Sequence, residues 1–545
     1  MNKKIQKICD CLKKESDKKA YYFNEDLKKK YKAFKNWLLE NGAIFDNYID
    51  FPIRYSYFSK IGCKSKENIN ENESFLLIPK DLIISSRDLY YLDKYIFNIK
   101  EEISDKDLPS IYLTLNLYLE KKDKNSFFKP YIDIIFLEEE MLYDKLTKEN
   151  LIQLEDDITI KSIEKMFDKL NDIYELIIQC NKFSEMKKEE FHECYFKVMA
   201  RKIEFNNYCA MIPLLDLFYY DNSINIKYEI YDSENMMFKY TSLLNTNIKN
   251  NLYMTKSKYL PINKPSYNKL IPFIVDYQDN EKEEEEKNII KFNKNDYFSV
   301  AISKNNKIVK NDILCTNNTL CNKKLLKYKG YCLLYNKNDY LTIKINFKRG
   351  DILIDRYLKE IFLKNYELEN DDPIYNDIKI KIYFNYISTD LLKYFRFYYF
   401  YEKNNAKEYF KYKFNLDIEL KIINSSITYL EDKLKIMEKN YSFENDLKDL
   451  EKLILNNKEK NSLKVNIFIF RLSQKIILKN QIDLLNYIMN IMKKYKVDNY
   501  NIIYDYIKKE KIPSEYDSDE NTKLKILRFI AYMSQNVDLK NISKN

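Results

Sequence analysis

Apolar residues recur at helical spacing from Asp26 to Asn41, with Leu27, Tyr31, Phe34 and Leu38 on one face. This predicts an amphipathic helix. Gly42 follows it, and glycine is the residue that best takes the left-handed position just past a helix end. Phe51 to Phe58 reads as β, and Phe75-Leu76-Leu77-Ile78-Pro79 reads as a short buried strand closed by proline. From about Ser86 to Ile203 the pattern is helical, most clearly over Leu108 to Leu119 and Lys187 to Ile203. The apolar run Met211 to Phe218 comes next. Alternation at Ile224, Ile226, Tyr228 and Ile230 predicts a strand, as do Tyr297 to Ser303 and Leu341 to Phe347. Between Leu243 and Asp296 an Asn/Lys-rich stretch with an acidic block, Glu281 to Lys287, is expected to be a loop or disordered insertion. Past Gly350 the spacing is helical almost to the end, notably over Ile418 to Met437 and Val465 to Ile482. The pattern predicts an α+β front half and an all-α back half.

Composition narrows the chemistry. The 545 residues are 45% hydrophobic and 32% charged, enough for real cores and too polar for a membrane protein; no apolar run approaches a membrane span. Met1 to Lys19 is charged and lacks the apolar centre of a signal peptide, so a cytoplasmic or nuclear location is expected. The net charge of +9 is mild for this length. It follows from a general richness in Lys, Asn, Tyr and Ile, and no RNA-recognition motif accompanies the 50 tyrosines, so nucleic acid is not the expected partner. Only 4 glycines are present, all far apart, and neither a phosphate-binding P-loop nor a G-x-G-x-x-G dinucleotide fingerprint appears. The single histidine, His192, excludes a two-histidine metal site. It sits in the amphipathic stretch Met186 to Ile203, where a surface or helix-packing role is expected. The 9 cysteines form no C-x-x-C pair, so no metal site is expected and the thiols are expected to be reduced.

A series of local strings, in one order, carries a resemblance. Phe34-Lys35-Asn36-Trp37-Leu38-Leu39-Glu40-Asn41-Gly42 is followed by Ile69 to Pro79, with its Glu73-Ser74-Phe75. Then come Phe127-Phe128-Lys129-Pro130-Tyr131, Val198-Met199-Ala200-Arg201, and Ile212-Pro213-Leu214-Leu215-Asp216-Leu217-Phe218-Tyr219-Tyr220. Asn322 to Leu326 with Gly330-Tyr331, and the helix Leu463 to Leu485, complete the series. Together they resemble the SET-domain protein methyltransferases of the RuBisCO large-subunit methyltransferase-like class. The resemblance implies a β-rich SET fold (51–347) after an N-terminal helical lead-in (1–50). A helical insert (about 87–195) and the 243–296 insertion would interrupt it, and an all-helical substrate-binding domain (348–545) would follow. It also implies S-adenosyl-L-methionine as cofactor and a protein lysine or histidine as methyl acceptor.

Site residues follow from the resemblance position by position. The cofactor would lie against Gly62, Glu73, Ser74, Phe75, Arg201, Asp216, Tyr219, Tyr220, Gly330 and Tyr331. Arg201 takes the place of an arginine that meets the cofactor carboxylate. Here the sequence departs from the family: the first glycine of the cofactor loop is Lys60, and the Asn-His pair is Tyr219-Tyr220. The catalytic tyrosine position falls on Asn317, and a one-residue slip gives Thr316 or Asn318. Tyr219 and Tyr220 are the candidate substitutes for its hydroxyl, with Tyr328 a distant third. Arg471 and Lys475 hold the charged places of the helix that would meet a protein partner. Two readings therefore stand side by side: a methyltransferase with an altered pocket, and a non-catalytic SET scaffold that holds a partner protein through its helical C-terminal domain.

Overall fold

The computed structural model describes residues 8, 25–43, 45–54, 61–69, 74–86, 103–104, 107–137, 147–205, 208–221, 226–230, 274–275, 290–291, 298–303, 308–317, 320–348, 375–403, 409, 415–455, 462–496 and 522–527. The first helix, α1 (Glu25–Glu40), buries Tyr31, Phe34, Trp37 and Leu38, the face its spacing predicts. Gly42 ends it at φ +90. The amide of Ala43 donates to Leu38 O (3.0 Å) and that of Gly42 to Leu39 O (3.2 Å), the paired bonds of a Schellman stop.

Short strands follow: β1 (Ile49–Arg54), β2 (Ile61–Ser65), β3 (Ser74–Pro79) and β4 (Ile84–Ser85). The chain then leaves the sheets for a helical insert of α2 (Leu108–Lys122), α3 (Lys129–Ile135), α4 (Lys148–Ile152), α5 (Asp157–Ile177) and α6 (Lys188–Arg201). It returns through β5 (Ile203–Phe205) and β6 (Tyr208–Met211). Strand β6 pairs antiparallel with β4, Ile84 opposite Met211, so one small sheet closes the base of the insert. The Asn116 side-chain amide on α2 donates to Ser85 O (3.2 Å) and ties the insert to that base. Phe34 and Trp37 of α1 stack on Tyr131 of α3 at centroid distances of 5.8 and 6.4 Å, which docks the first helix on the insert.

Beyond the insert lie a 3-10 turn, Leu215–Leu217, then β7 (Tyr219–Asp221) and β8 (Ile226–Ile230). Most of 243–296 lies outside the described residues. Within it β9 (Ile274–Val275) and β10 (Ile290–Lys291) pair antiparallel. Strand β11 (Phe298–Ser303) pairs with both β3 and β8, and β12 (Cys315–Asn317) pairs in parallel with β7. A helical turn, Asn322–Lys324, runs into a π-helical turn, Leu325–Lys329, that ends at Gly330 with φ +74.

Strand β13 (Tyr340–Lys348) lies antiparallel to β14 (Tyr375–Tyr383) along its full length. The helices α7 (Thr389–Glu402), α8 (Leu416–Glu438), α9 (Phe443–Leu455) and α10 (Ser462–Tyr495) follow. The back region is helical as its periodicity predicts, with one correction: β14 stands in the span read as helix. Its alternating Ile378, Ile380 and Ile382 are a period-two signal, and Ile380 and Ile382 are fully buried. No described helix is long and apolar enough to cross a membrane.

Candidate functional site

The site is assembled by segments far apart in sequence. Strand β7 and strand β12 run in parallel with Cys315 opposite Tyr219, Thr316 opposite Tyr220 and Asn317 opposite Asp221. This places the two motif segments, Tyr219-Tyr220 and Asn317, on neighbouring strands. Just upstream of β12, Leu314 N donates to Cys63 O (3.0 Å), so the strand also runs alongside β2 and its Gly62. Phe75 of β3 stacks on Phe218 at 6.4 Å, which brings the Ser74-Phe75 segment to the entrance of β7. Of Ser74, Tyr219, Tyr220 and Asn317 only the backbone is described; Lys60, Glu73 and Asn318 lie outside the described residues.

A buried charged group includes the turn that leads into β7. Arg201, the last residue of α6, is 2% exposed, and Asp216 in the 3-10 turn is 3% exposed. Arg201 Nη1 lies 3.9 Å from Asp216 Oδ2, too far for a hydrogen bond but close enough for strong attraction away from water. The same carboxylate oxygen accepts a hydrogen bond from the Tyr131 hydroxyl of α3, a side chain with no exposed surface. Burial first, and the Asp216 charge second, hold the Tyr131 hydroxyl well above its ordinary pKa and so protonated as a donor. Burial likewise pushes the Cys63 thiol well up, with the Asp216 charge adding to it. Leu214 carries the chain into this turn at φ +72, a backbone conformation that costs a non-glycine residue energy. Lys329 Nζ donates to Ala200 O (2.7 Å), holding the end of α6 from the other side.

On β12 the side chains divide by strand alternation. Cys315 packs into an apolar cluster with Leu325, Tyr331 and Leu333, so Gly330 and Tyr331 lie on that face. Thr316 is 3% exposed, and its Oγ1 has no hydrogen-bond partner among the described residues. Tyr328 sits in the π-helical turn under the Lys327 ammonium, and burial pushes its hydroxyl up to about 12.

Arg471 and Lys475 require a correction. They are 3% and 0% exposed and turn inward onto one carboxylate, Asp446. Lys475 Nζ donates to Asp446 Oδ2 at 2.7 Å, Arg471 Nε donates to the same oxygen at 3.2 Å, and Arg471 Nη2 donates to Oδ1. Arg471 also donates to Gln153 O (3.1 Å) in the insert. A partner cannot reach these two side chains; they brace the helices internally. His192 packs between the rings of Phe167 and Phe191, and burial followed by Lys188 lowers its pKa. The described cysteines are free thiols, and no group of His, Cys, Asp or Glu among the described residues is placed to hold a metal.

Of the comparisons with known proteins, one bears on the fold. No family model and no curated protein matches the chain. Among solved structures, the crystal structure of the SET domain of LSMT bound to lysine and AdoHcy covers 85% of this chain and 92% of its own. It does so at 13% identity with a TM-score of 0.53. The chain has the SET-domain fold. The structure of Rubisco LSMT bound to AdoMet covers 85% of this chain and 93% of its own, at 14% identity and a TM-score of 0.49. Phe75 meets Phe218 just before β7, Asp216 lies in the turn leading into β7, and β12 runs beside the Gly62 strand, whereas Arg471 and Lys475 lie in the helical C-terminal region.

Two residues of this region carried no role in the sequence reading. Tyr131 lay in a quoted string, but its bond to Asp216, 85 positions away, has no local signature. Thr316 stood only as the neighbour of Asn317. Its burial without a partner is a property of the packed strands.

Proposed function

We propose that this chain is an S-adenosylmethionine-binding SET protein of the protein-lysine (or histidine) N-methyltransferase class, of the RuBisCO large-subunit methyltransferase type. The observation that carries the reading is the parallel pairing of β7 with β12, which sets the Tyr219-Tyr220 and Asn317 segments side by side, with buried Asp216, partnered by Arg201, in the turn that leads into β7. The cofactor's amino-acid end bears both a positive and a negative charge; Arg201 and Asp216 carry both signs, and as buried side chains they would act on it through their charge. The backbone of Ser74-Phe75 and Gly62 would line the same site. When bound, S-adenosylmethionine supplies an activated methyl group. The chain's own part is to orient an incoming amine and to exclude water.

Methyl transfer in this reading is slow. Asn317 stands where the family has a tyrosine hydroxyl, and loss of one preorganised polar group commonly lowers turnover about 100- to 1000-fold. The same substitution favours the second reading, a SET scaffold without catalysis whose helical domain holds a protein partner. Because Arg471 and Lys475 are buried, that partner would meet other residues.

Calorimetric titration of S-adenosylmethionine and S-adenosylhomocysteine into the full chain separates the two readings. Micromolar binding is expected, and saturating ligand at about 100 times its Kd should stabilise the binding domain by roughly 2.7 kcal/mol in a thermal scan. No heat and no shift at millimolar cofactor would leave the scaffold reading.

A further inference from the structure

Thr316 is the one described side chain on β12 whose polar atom the fold leaves unused. Its hydroxyl is buried, and its Oγ1 has no hydrogen-bond partner among the described residues. Folded proteins seldom keep such a group, because a hydroxyl withdrawn from water without a partner costs free energy that a methyl group of the same shape would not.

Its surroundings are those of the candidate site. Cys315 packs into the cluster of Leu325, Tyr331 and Leu333, and strand alternation turns Thr316 to the opposite face. On one side Leu314 N holds Cys63 O at 3.0 Å, next to Gly62, and Cys63 in turn feels the Asp216 charge. On the other side the register partner of Thr316 is Tyr220. The backbone at Thr316 therefore runs between β2 and β7, with the Asp216 turn leading into β7.

A threonine hydroxyl does not ionise near neutral pH, so it is no general base. It can accept a hydrogen bond from an N–H group. We infer that Thr316 is a ligand-contacting residue whose Oγ1 accepts a hydrogen bond from an amine N–H of the bound ligand. Two amines fit that chemistry: the α-amino group of the cofactor and the side-chain amine of a lysine substrate. The inference rests on the methyltransferase-class reading above.

The test uses the full chain, with Thr316→Val to remove the hydroxyl at constant shape and Thr316→Ser to keep it. S-adenosylhomocysteine is titrated first, then free lysine in the presence of saturating S-adenosylhomocysteine. A loss of about tenfold in S-adenosylhomocysteine affinity in Thr316→Val, restored in Thr316→Ser, assigns the contact to the cofactor amine. An unchanged cofactor affinity with the same loss for lysine assigns it to the substrate amine. Wild-type binding of both ligands that Thr316→Val leaves unaltered overturns the inference and leaves the functional reading standing. Absence of S-adenosylhomocysteine binding by the wild-type chain overturns the functional reading and this inference with it. The ligand-free proteins supply a separate check. Thr316→Val should melt at the wild-type temperature or above, and a lower melting temperature would mean that the hydroxyl is already bonded inside the protein, which also overturns the inference.

Discussion

Asp339 shows how strongly a single position depends on its surroundings. It is buried just before β13, and its carboxylate accepts from Asn322 N (2.9 Å) and from the Asn322 side-chain amide (2.8 Å). Burial nevertheless dominates these bonds and pushes its pKa up to about 7 from 3.8. Between those two values the folded protein holds a proton that the unfolded chain has released. Stability from this residue is therefore fully present below about pH 4, declines as pH rises toward 7, and levels off above. The stability difference between the wild-type protein and Asp339→Asn, from urea unfolding at several pH values, should shrink from pH 4.5 to pH 7.5. A difference that stays constant over that range would contradict the assignment. Nothing about the aspartate in sequence marks it, because the Asn322, Asn336 and Leu333 groups around it gather only when the chain packs.

Local elements were the most legible scale. The predicted helix from Asp26 to Asn41 is observed as α1 (Glu25–Glu40), and its stop at Gly42 follows from backbone sterics alone. A Cβ at Gly42 would meet Pro79 Cγ at 3.6 Å, an ordinary contact, so the cost of Gly42→Ala is conformational rather than steric. That substitution should lower stability by roughly 1–2 kcal/mol, read as a shift in urea midpoint with an unchanged slope. Strands β3, β8, β11 and β13 also lie where alternation or apolar runs place them. Strand β14 departs from that agreement. Its Ile378-Lys379-Ile380-Lys381-Ile382 alternation was present, but the helical periodicity on its C-terminal side masked it, and its pairing with β13 supplies the burial that makes it a strand.

Across the whole molecule, α10 acts as the joint between front and back. Asn466, Ser473 and Asn480 recur at seven-residue spacing and meet the backbone at Cys332, Leu333 and Phe384, while Gln481 holds Tyr383 O (2.8 Å) and Tyr386 O (2.9 Å). A polar stripe on a buried helix face satisfies carbonyls and amides that water cannot reach. On α9, Asp446 pairs with both Arg471 and Lys475, and Arg471 carries the connection on to Gln153 of the insert. Asp446→Ala leaves two buried cations without their carboxylate, so it should cost on the order of 3–5 kcal/mol in equilibrium unfolding. A loss below about 1 kcal/mol would mean that water or other groups already solvate the pair.

The sequence by itself determined the helices, most strands, the helical insert and the order of motif strings, because propensity, periodicity and glycine conformation act over a few residues. Only the tertiary structure decided that β12 lies beside β7, that Tyr131 bonds Asp216, and that Arg471 and Lys475 face inward. Those outcomes depend on which distant surfaces exclude water together. Burial and charge pairing are properties of the packed chain and are written in no single segment.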